Sequence, residues 1–340
     1  MGITLIPGEK LLIKLWESIV DKGIGAVLKP WQIRREGRAT VDVRRDELLM
    51  IAQAEIDVAD IRAGRKTVKS NGKLLALSSP EQELLCDASN EPLQLSHVEV
   101  VAEQNYRAEA IRREISISKA VLHAEKELAE DPQEPPDNSI SDDWLFRWRD
   151  CAASVSSENL LSLWGKVLAG EVKSPGGFSL RALEFLKNLS QDEAKAIEKI
   201  SPFVIDKVIY MGKMELLESE GVKFSDVFSL QELGIVSGVD TSLTMIWPST
   251  QSDRFLIPLT SHGKALIVKH SDASQVIRLE KVCQVTSMGR QIFKLGSFQP
   301  NEAYLRAIGT IIKEQGFDVE LSQCIDKGNS TVSVFNPQSL

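Results

Sequence analysis

Residues 142–206 read DDWLFRWRDCAASVSSENLLSLWGKVLAGEVKSPGGFSLRALEFLKNLSQDEAKAIEKISPFVID, and this segment carries the strongest helical pattern in the chain. Its apolar residues recur every three or four positions, which places them on one face of each helix. The run from Lys173 to Gly177 contains a proline and two glycines, which end helices. Ser190 and Glu193 form a capping box, which begins a further helix. The segment therefore predicts a compact bundle of four helices.

Trp144, Trp148 and Trp164 lie at helical spacing within this predicted bundle. Tryptophans with this spacing are typical of a helical core. We therefore interpret them as core residues rather than as a platform on which nucleic-acid bases stack.

Three short motifs follow one another in the same segment: LWGKVLAGE at 163–171, PGGFSLR at 175–181 and LKNLSQDEA at 186–194. The series resembles a bacterial family of unknown function in which a Trp-rich helix precedes LW.K.LAGE…PG.FS.R.L..LKNLS..EA. That family is in turn similar to the abortive-infection alpha proteins of phage defence. The resemblance implies a role in phage defence, and it brings no catalytic residues with it.

The composition is that of a folded protein and does not by itself indicate a particular kind of chemistry. The chain has 340 residues, 43% of them hydrophobic and 26% charged, with a net charge of −8. This length accommodates two or three domains. The negative charge argues against a general nucleic-acid-binding protein. The four cysteines are far apart and are expected to be buried, reduced thiols: Cys86, Cys151, Cys283 and Cys324. The four histidines form no i,i+4 pair, so we expect neither a metal nor a cofactor.

The first 33 residues predict an amphipathic helix with two tryptophans. Residues 1–35 carry a net charge of +3, whereas the rest of the chain is acidic. A basic, amphipathic helix of this kind suits an anionic membrane surface. The predicted membrane-binding residues are Leu11, Leu12, Leu15, Trp16, Ile19, Val20, Ile24, Val27, Leu28 and Trp31. The alternative is that this helix packs on the body of the protein or on a second copy.

Two further segments, 34–66 and 98–130, predict long helices whose apolar residues recur at coiled-coil spacing. A seam this narrow favours association between helices, and we expect it to join subunits of a homo-oligomer. The predicted oligomerisation residues are Ile51, Ala54, Val58, Ile61, Val101, Ala108, Ile115 and Leu122. The alternative is that these helices lie along the body of a single chain.

Beyond the bundle, the sequence predicts a winged-helix-like unit at 216–270. A helix ending in Leu233-Gly234-Ile235 is followed by strands at 243–248 and 255–259, which read as a hairpin. Thr260 would then cap a final helix. The pattern of Leu259–Leu266 recurs at Val285–Ile292, so both stretches are expected to be strand-to-helix corners.

The predicted fold class is mainly α. It comprises N-terminal amphipathic and long helices, a central helical bundle, a winged-helix-like unit and a small C-terminal α/β unit. The predicted segments are 1–66 for the N-terminal helices, 67–97 for a loop-rich insertion, 98–130 for a long helix, 131–141 for a linker, 142–215 for the bundle, 216–270 for the winged-helix-like unit and 271–340 for the α/β unit.

No catalytic constellation emerges from the sequence. Gly263-Lys264 lacks the glycine-rich loop of a phosphate-binding motif. Ser261 and His262 are adjacent, and adjacent side chains seldom align as nucleophile and base. We therefore expect a non-enzymatic protein without catalytic residues.

These observations favour an abortive-infection-like protein of bacterial antiviral defence. Its body would sense a phage component such as a phage protein, its subunits would assemble, and its N-terminal helix would act at the inner-membrane surface. The uninterrupted apolar runs are too short for a membrane span, so a cytoplasmic protein that binds the membrane peripherally is expected. The alternative hypothesis is a nucleic-acid-binding regulator that uses the winged helix.

Overall fold

The computed structural model describes residues 8–20, 22–24, 40–68, 74–76, 95–241, 243–326 and 332–340. The chain forms two compact units, Met1–Leu183 (unit 1) and Glu184–Leu340 (unit 2). Helices make up about 53% of the structure and strands about 21%. The fold class is therefore mixed α/β, with more strand than a mainly α protein would contain.

In its described residues, unit 1 is built from helices and one short hairpin. Its helices are α1 (Glu9–Val20), α2 (Thr40–Arg62), α3 (Leu95–Leu128), α4 (Asp142–Ala153) and α5 (Glu158–Lys173). Strands β1 (Lys66–Val68) and β2 (Leu74–Ala76) pair antiparallel between α2 and α3. Helix α6 (Leu180–Asn188) begins in unit 1 and crosses into unit 2. Most of the predicted loop-rich insertion, including residues 77–94 and the thiol of Cys86, lies outside the described residues.

The core of unit 1 forms where α3, α4 and α5 pack together. Trp144, Trp148 and Trp164 are only 4%, 0% and 2% exposed, which confirms the prediction that they are core residues. The indole N–H of Trp148 donates to the backbone oxygen of Trp164 at 2.9 Å. A side chain at Gly165 would collide with His123 and with the backbone of α3, so this glycine allows α3 and α5 to approach closely.

Unit 2 combines short helices with two antiparallel sheets. Its further helices are α7 (Gln191–Ile200), α8 (Met214–Ser219), α9 (Phe224–Glu232), α10 (Ser287–Phe293) and α11 (Glu302–Lys313). Its strands are β3 (Val208–Tyr210), β4 (Val236–Ser237), β5 (Leu243–Pro248), β6 (Phe255–Ser261), β7 (Lys264–His270), β8 (Val276–Val285), β9 (Asp318–Asp326) and β10 (Val332–Ser339).

The first sheet has the order β10-β9-β7-β6, and in the second β8 pairs with β3, β4 and β5. One face of the first sheet is buried against α11, and Leu266, Leu321, Ile308 and Ile312 are buried there. The ladder between β10 and β9 shifts register between Phe335 and Gln338. The thiols of Cys151, Cys283 and Cys324 are buried and reduced, as expected. Burial raises the pKa of Cys283 to about 12.

The winged-helix prediction is wrong in its second half. Strands form at 243–248 and 255–261, but they pair with β8 and β7 instead of with each other. Thr260 lies in strand β6, and the stretch expected to be a helix continues as a tight turn into β7. His262 and Gly263 make this turn with φ of 41° and 83°, the left-handed conformation that two-residue hairpins require.

The second copy of the same pattern does form the expected helix. The hydroxyl of Thr286 accepts the N–H of Gly289 at 3.0 Å and donates to the oxygen of Gly234 at 2.6 Å. The two matching stretches thus adopt different structures. Residues Leu233-Gly234-Ile235, at the end of α9, lie beside α10. Strand β7 comes from the predicted winged-helix-like segment and β9 from the predicted α/β segment, and the two strands are neighbours in one sheet.

Candidate functional site

The apolar face of α1, predicted to bind a membrane, is buried inside unit 1. Leu11, Leu15 and Ile19 are 0% exposed, and Trp16 and Ile24 are 6% and 1% exposed. Leu12 and Val20 are half-buried, and Val27, Leu28 and Trp31 lie outside the described residues. The face packs against α5 and α3. In this structure, therefore, the helix follows the alternative in which it packs on the body of the protein.

Two ion pairs join the ends of α1 to the rest of unit 1. Lys10 Nζ lies 2.7 Å from the carboxylate of Glu134, and Lys22 Nζ lies 2.6 Å from that of Asp142. Exposed pairs of this kind contribute little, typically about 0–1 kcal/mol. The apolar contacts therefore hold α1 in place. Among the helices in the described ranges, none combines the length and the hydropathy needed to cross a bilayer.

The apolar seam predicted between subunits is closed within one chain. Helices α2 and α3 run antiparallel, because Arg62 pairs with Glu109 while Lys119 pairs with Glu55. Six seam residues are buried: Ile51, Val58, Ile61, Ala108, Ile115 and Leu122. Ala54 is half-buried, and Val101 is 39% exposed. The expected coiled-coil contact thus exists inside unit 1, and a homo-oligomer built on this seam would have to open it.

A cavity of about 230 Å³ lies between α2, α3 and α5. Arg62, Arg112 and Lys119 line it, but each already has a carboxylate partner. Arg62 and Arg112 lie 2.8 and 2.5 Å from Glu109, and Lys119 lies 2.6 Å from Glu55. The hydrogen bond from Arg112 lowers the pKa of Glu109. The positive charges that line the cavity are therefore neutralised within the protein.

The LAGE and PGGFS motifs meet at Glu171, a buried carboxylate that is 2% exposed. Its oxygens accept the backbone N–H groups of Gly176 at 2.6 Å and of Phe178 at 2.9 Å. The indole of Trp144 donates to the oxygen of Phe178 at 2.7 Å. A side chain at Gly170 would lie 2.6 Å from the Phe178 ring. The motif residues thus shape the loop between α5 and α6, which is a structural role.

Burial raises the pKa of Glu171, against the opposing effect of the backbone N–H donors, which favour its carboxylate form. The folded protein therefore binds this proton more tightly than the unfolded chain, and the resulting stabilisation is lost as pH rises through the folded-state pKa. We expect the free energy of unfolding of wild type, minus that of Glu171→Gln, to decrease as pH rises from about 4 to about 7. Urea titrations at several pH values measure this difference.

The matched control for this experiment is Glu130→Gln, because Glu130 is exposed at the end of α3. Its difference from wild type should stay nearly flat over the same pH range. A Glu171 difference that increases with pH would show that the backbone N–H donors outweigh burial.

A large concave surface lies on the open face of the first sheet, opposite α11. It has a volume of about 710 Å³, and we call it the sheet groove. Its apolar wall consists of Leu256, Pro258, Ile267, Val332 and Val334. Pro258 faces Ile267 across the β6–β7 ladder, and side chains of residues paired in this way lie on the same face of a sheet. Three strands, β6, β7 and β10, therefore build the wall together.

The polar part of the sheet groove contains charges of both signs. Arg254, Lys269, Asp318 and Glu320 line it, and Lys269 Nζ lies 2.7 Å from Glu320. Ser322 lies in β9 opposite Ala265 of β7 and is 2% exposed. Its hydroxyl has no hydrogen-bond partner among the residues that the structure describes. Buried hydroxyls usually have one, so this oxygen is a candidate contact for a bound molecule.

The residues rejected as catalytic from the sequence have other partners. Ser261 Oγ donates to the oxygen of Val204 at 2.6 Å, and His262 Nε2 lies 2.8 Å from the oxygen of Ser201. Lys264 pairs with Glu302. Burial lowers the pKa of His262. Within the described residues, no group of three or more His, Cys, Asp or Glu side chains could hold a metal ion.

Comparison with known proteins identifies one domain. No curated protein and no solved structure matches the chain. The similarity to abortive-infection alpha proteins therefore stays a prediction from the sequence. The region that matches a family model begins in the N-terminal part of α3, ends at the start of α8 and includes Trp148, Trp164 and Glu171. Residues 102–214 match the model of a family described as Protein of unknown function (DUF2806).

Proposed function

We propose that the protein is a non-enzymatic recognition protein and that the sheet groove of unit 2 is its binding site. The observation that carries this proposal is a buried, unpartnered hydroxyl at Ser322 in the lining of a large apolar groove. The groove volume of about 710 Å³ falls in the range of ligand sites, roughly 300–1,000 Å³. Such sites combine apolar walls with a few polar groups that orient the ligand, as this groove does.

Filling the sheet groove with a large side chain tests this function. Val334 lies in the apolar wall and is 47% exposed, so tryptophan at this position can be accommodated while occupying groove volume. We expect Val334→Trp to weaken binding of the neutral fluorescent dye Nile red at least about tenfold, because the dye loses apolar contact area. Fluorescence titration of the purified full chain measures the change.

The matched control is Ile325→Trp. Ile325 is 57% exposed on the neighbouring strand, and its side chain points to the other face of the sheet. This variant should bind Nile red like wild type. Equal binding by wild type and Val334→Trp would place the dye elsewhere and remove the support for the groove as the binding site.

Phage defence at a membrane remains a hypothesis from the sequence, and the structure adds a condition to it. Helix α1 would have to leave unit 1 before its apolar face could enter a bilayer. Exposing a fully buried apolar side chain costs about 1.5–3 kcal/mol, and five such residues of this segment are buried. A trigger must therefore supply substantial free energy. Liposome leakage, measured with the protein from infected and uninfected cells, tests this hypothesis.

The alternative hypothesis of a nucleic-acid-binding regulator loses the structural feature on which it depended. It relied on a helix after Thr260, and the described structure has strand β7 there. Self-association also stays a prediction, because the seam that suggested it is used within the chain.

A further inference from the structure

This inference rests on the proposed function and names the ligand class of the sheet groove. We propose that the groove binds a small uncharged molecule, with an apolar body against the β6–β7–β10 wall and one hydrogen-bonding group on Ser322 Oγ.

The charges that line the sheet groove cancel. Arg254 and Lys269 are balanced by Asp318 and Glu320, and Lys269 is already paired with Glu320 at 2.7 Å. Arg254 and Asp318 are exposed, so solvent screens their charges. An ion placed against the apolar wall would therefore lose its water without a close counter-charge, which is strongly unfavourable.

Among the described residues that line the groove, the buried polar side-chain atom without a partner is Ser322 Oγ, which is short and uncharged. Ser322 lies in the middle of β9, and its strand neighbours are Ala265 on β7 and the irregular part of β10. Ala265 has no polar side chain, and Pro337, which also lines the groove, has no N–H to offer. A hydroxyl both donates and accepts. A ligand that reaches the groove floor with an alcohol, carbonyl or amide group would therefore satisfy it.

The remaining wall of the sheet groove is apolar. Ile267 forms a buried cluster with Ala265 and Cys324, and Leu256 and Val332 pack against it. Contact with this wall favours a hydrocarbon or aromatic body, because burial of apolar surface provides the binding free energy. Both ends of the proposed ligand thus have a defined place: the apolar body on β6, β7 and β10, and the polar group on β9.

A series of ligands with one body and three head groups tests the proposal. 1-Decanol, decanoate and decylammonium compete with Nile red for the purified full chain, each below its micellar concentration. We expect decanol to displace the dye at a concentration at least tenfold lower than the two ions need. Equal or better displacement by either ion would overturn the assignment of an uncharged ligand, while dye binding that remains sensitive to Val334→Trp would leave the recognition function standing.

The hydroxyl is tested by Ser322→Ala, with Ser333→Ala on the opposite face of β10 as the matched control. Removing the hydrogen bond should weaken decanol binding about threefold to tenfold, and the control should bind like wild type. Unchanged binding by a folded Ser322→Ala protein would overturn the role of Ser322. Should this variant fail to fold, the head-group series still decides the ligand class in the wild-type chain. If no probe responds to Val334→Trp, the groove is not the binding site, and the proposed function falls together with this inference.

Discussion

The Trp148→Ala variant is expected to unfold with a free energy about 3–5 kcal/mol lower than that of wild type. Trp148 is fully buried between α4 and α5, and its truncation removes apolar contacts and leaves a cavity. The lost indole N–H also leaves the Trp164 oxygen with one donor fewer. Since a protein of this kind is stable by only about 5–15 kcal/mol, the melting temperature should drop markedly. Chemical denaturation followed by far-UV circular dichroism measures the effect.

Phe146→Ala provides the control on the same helix. Phe146 is 45% exposed, so its truncation should change the free energy of unfolding by less than about 1 kcal/mol. Equal effects of the two substitutions would mean that the faces of α4 are assigned incorrectly.

The double variant Trp16→Glu, Ile19→Glu is expected to unfold unit 1 in part or entirely. Both side chains are buried against the helices of the unit. Each substitution removes apolar burial of about 1.5–3 kcal/mol and also places a charge in an apolar environment without a counter-charge. The sum approaches the whole stability of a domain. Loss of the cooperative thermal transition and rapid proteolysis of α1 are the measurements.

Ile13→Glu is the matched control, because Ile13 lies on the same helix and is 50% exposed. Its thermal transition should resemble that of wild type. A double variant that stays folded and loses only liposome binding would contradict the buried position of α1. It would instead support the membrane hypothesis in its simplest form.

The helices of the bundle could be predicted from the sequence because their signals are local. Ser190 and Glu193 form the expected capping box, with both hydrogen bonds present, and Ser157 accepts the N–H of Leu160 at the start of α5. These contacts join residues three positions apart. Neither depends on the rest of the fold.

The amphipathic pattern of α1 could not reveal what covers its apolar face. Leu11, Leu15 and Ile19 have the same spacing whether the helix faces a bilayer or a protein core. The same ambiguity affects Val58 and Ile115, whose seam spacing is equally suited to contact between subunits and contact within one chain. Only the path of the chain through β1 and β2, which brings α3 back along α2, decides between contact within one chain and contact between subunits.

The sheet groove could not be predicted from the sequence, for a different reason. Ile267, Glu320 and Val334 come together because β7, β9 and β10 adopt a particular register. Each residue of β7 is more than 45 positions away from its partner in β9. No local signal fixes such pairings. The alternation of Glu320 and Ser322 with apolar residues in β9 indicates a strand with two different faces, but it does not identify the neighbours. The same nonlocal pairing turns Lys264–His270 into a strand where the local pattern favoured a helix.

The irregularity of β10 also affects how copies of the protein meet in concentrated solution. Strand β10 is an edge of its sheet, and an open edge can template the addition of strands from other molecules. At Asn336, however, the backbone turns to a φ of 54°, and the following Pro337 has no N–H to offer. A foreign strand would find the row of donors interrupted at this point, which protects the protein against fibril-like polymerisation.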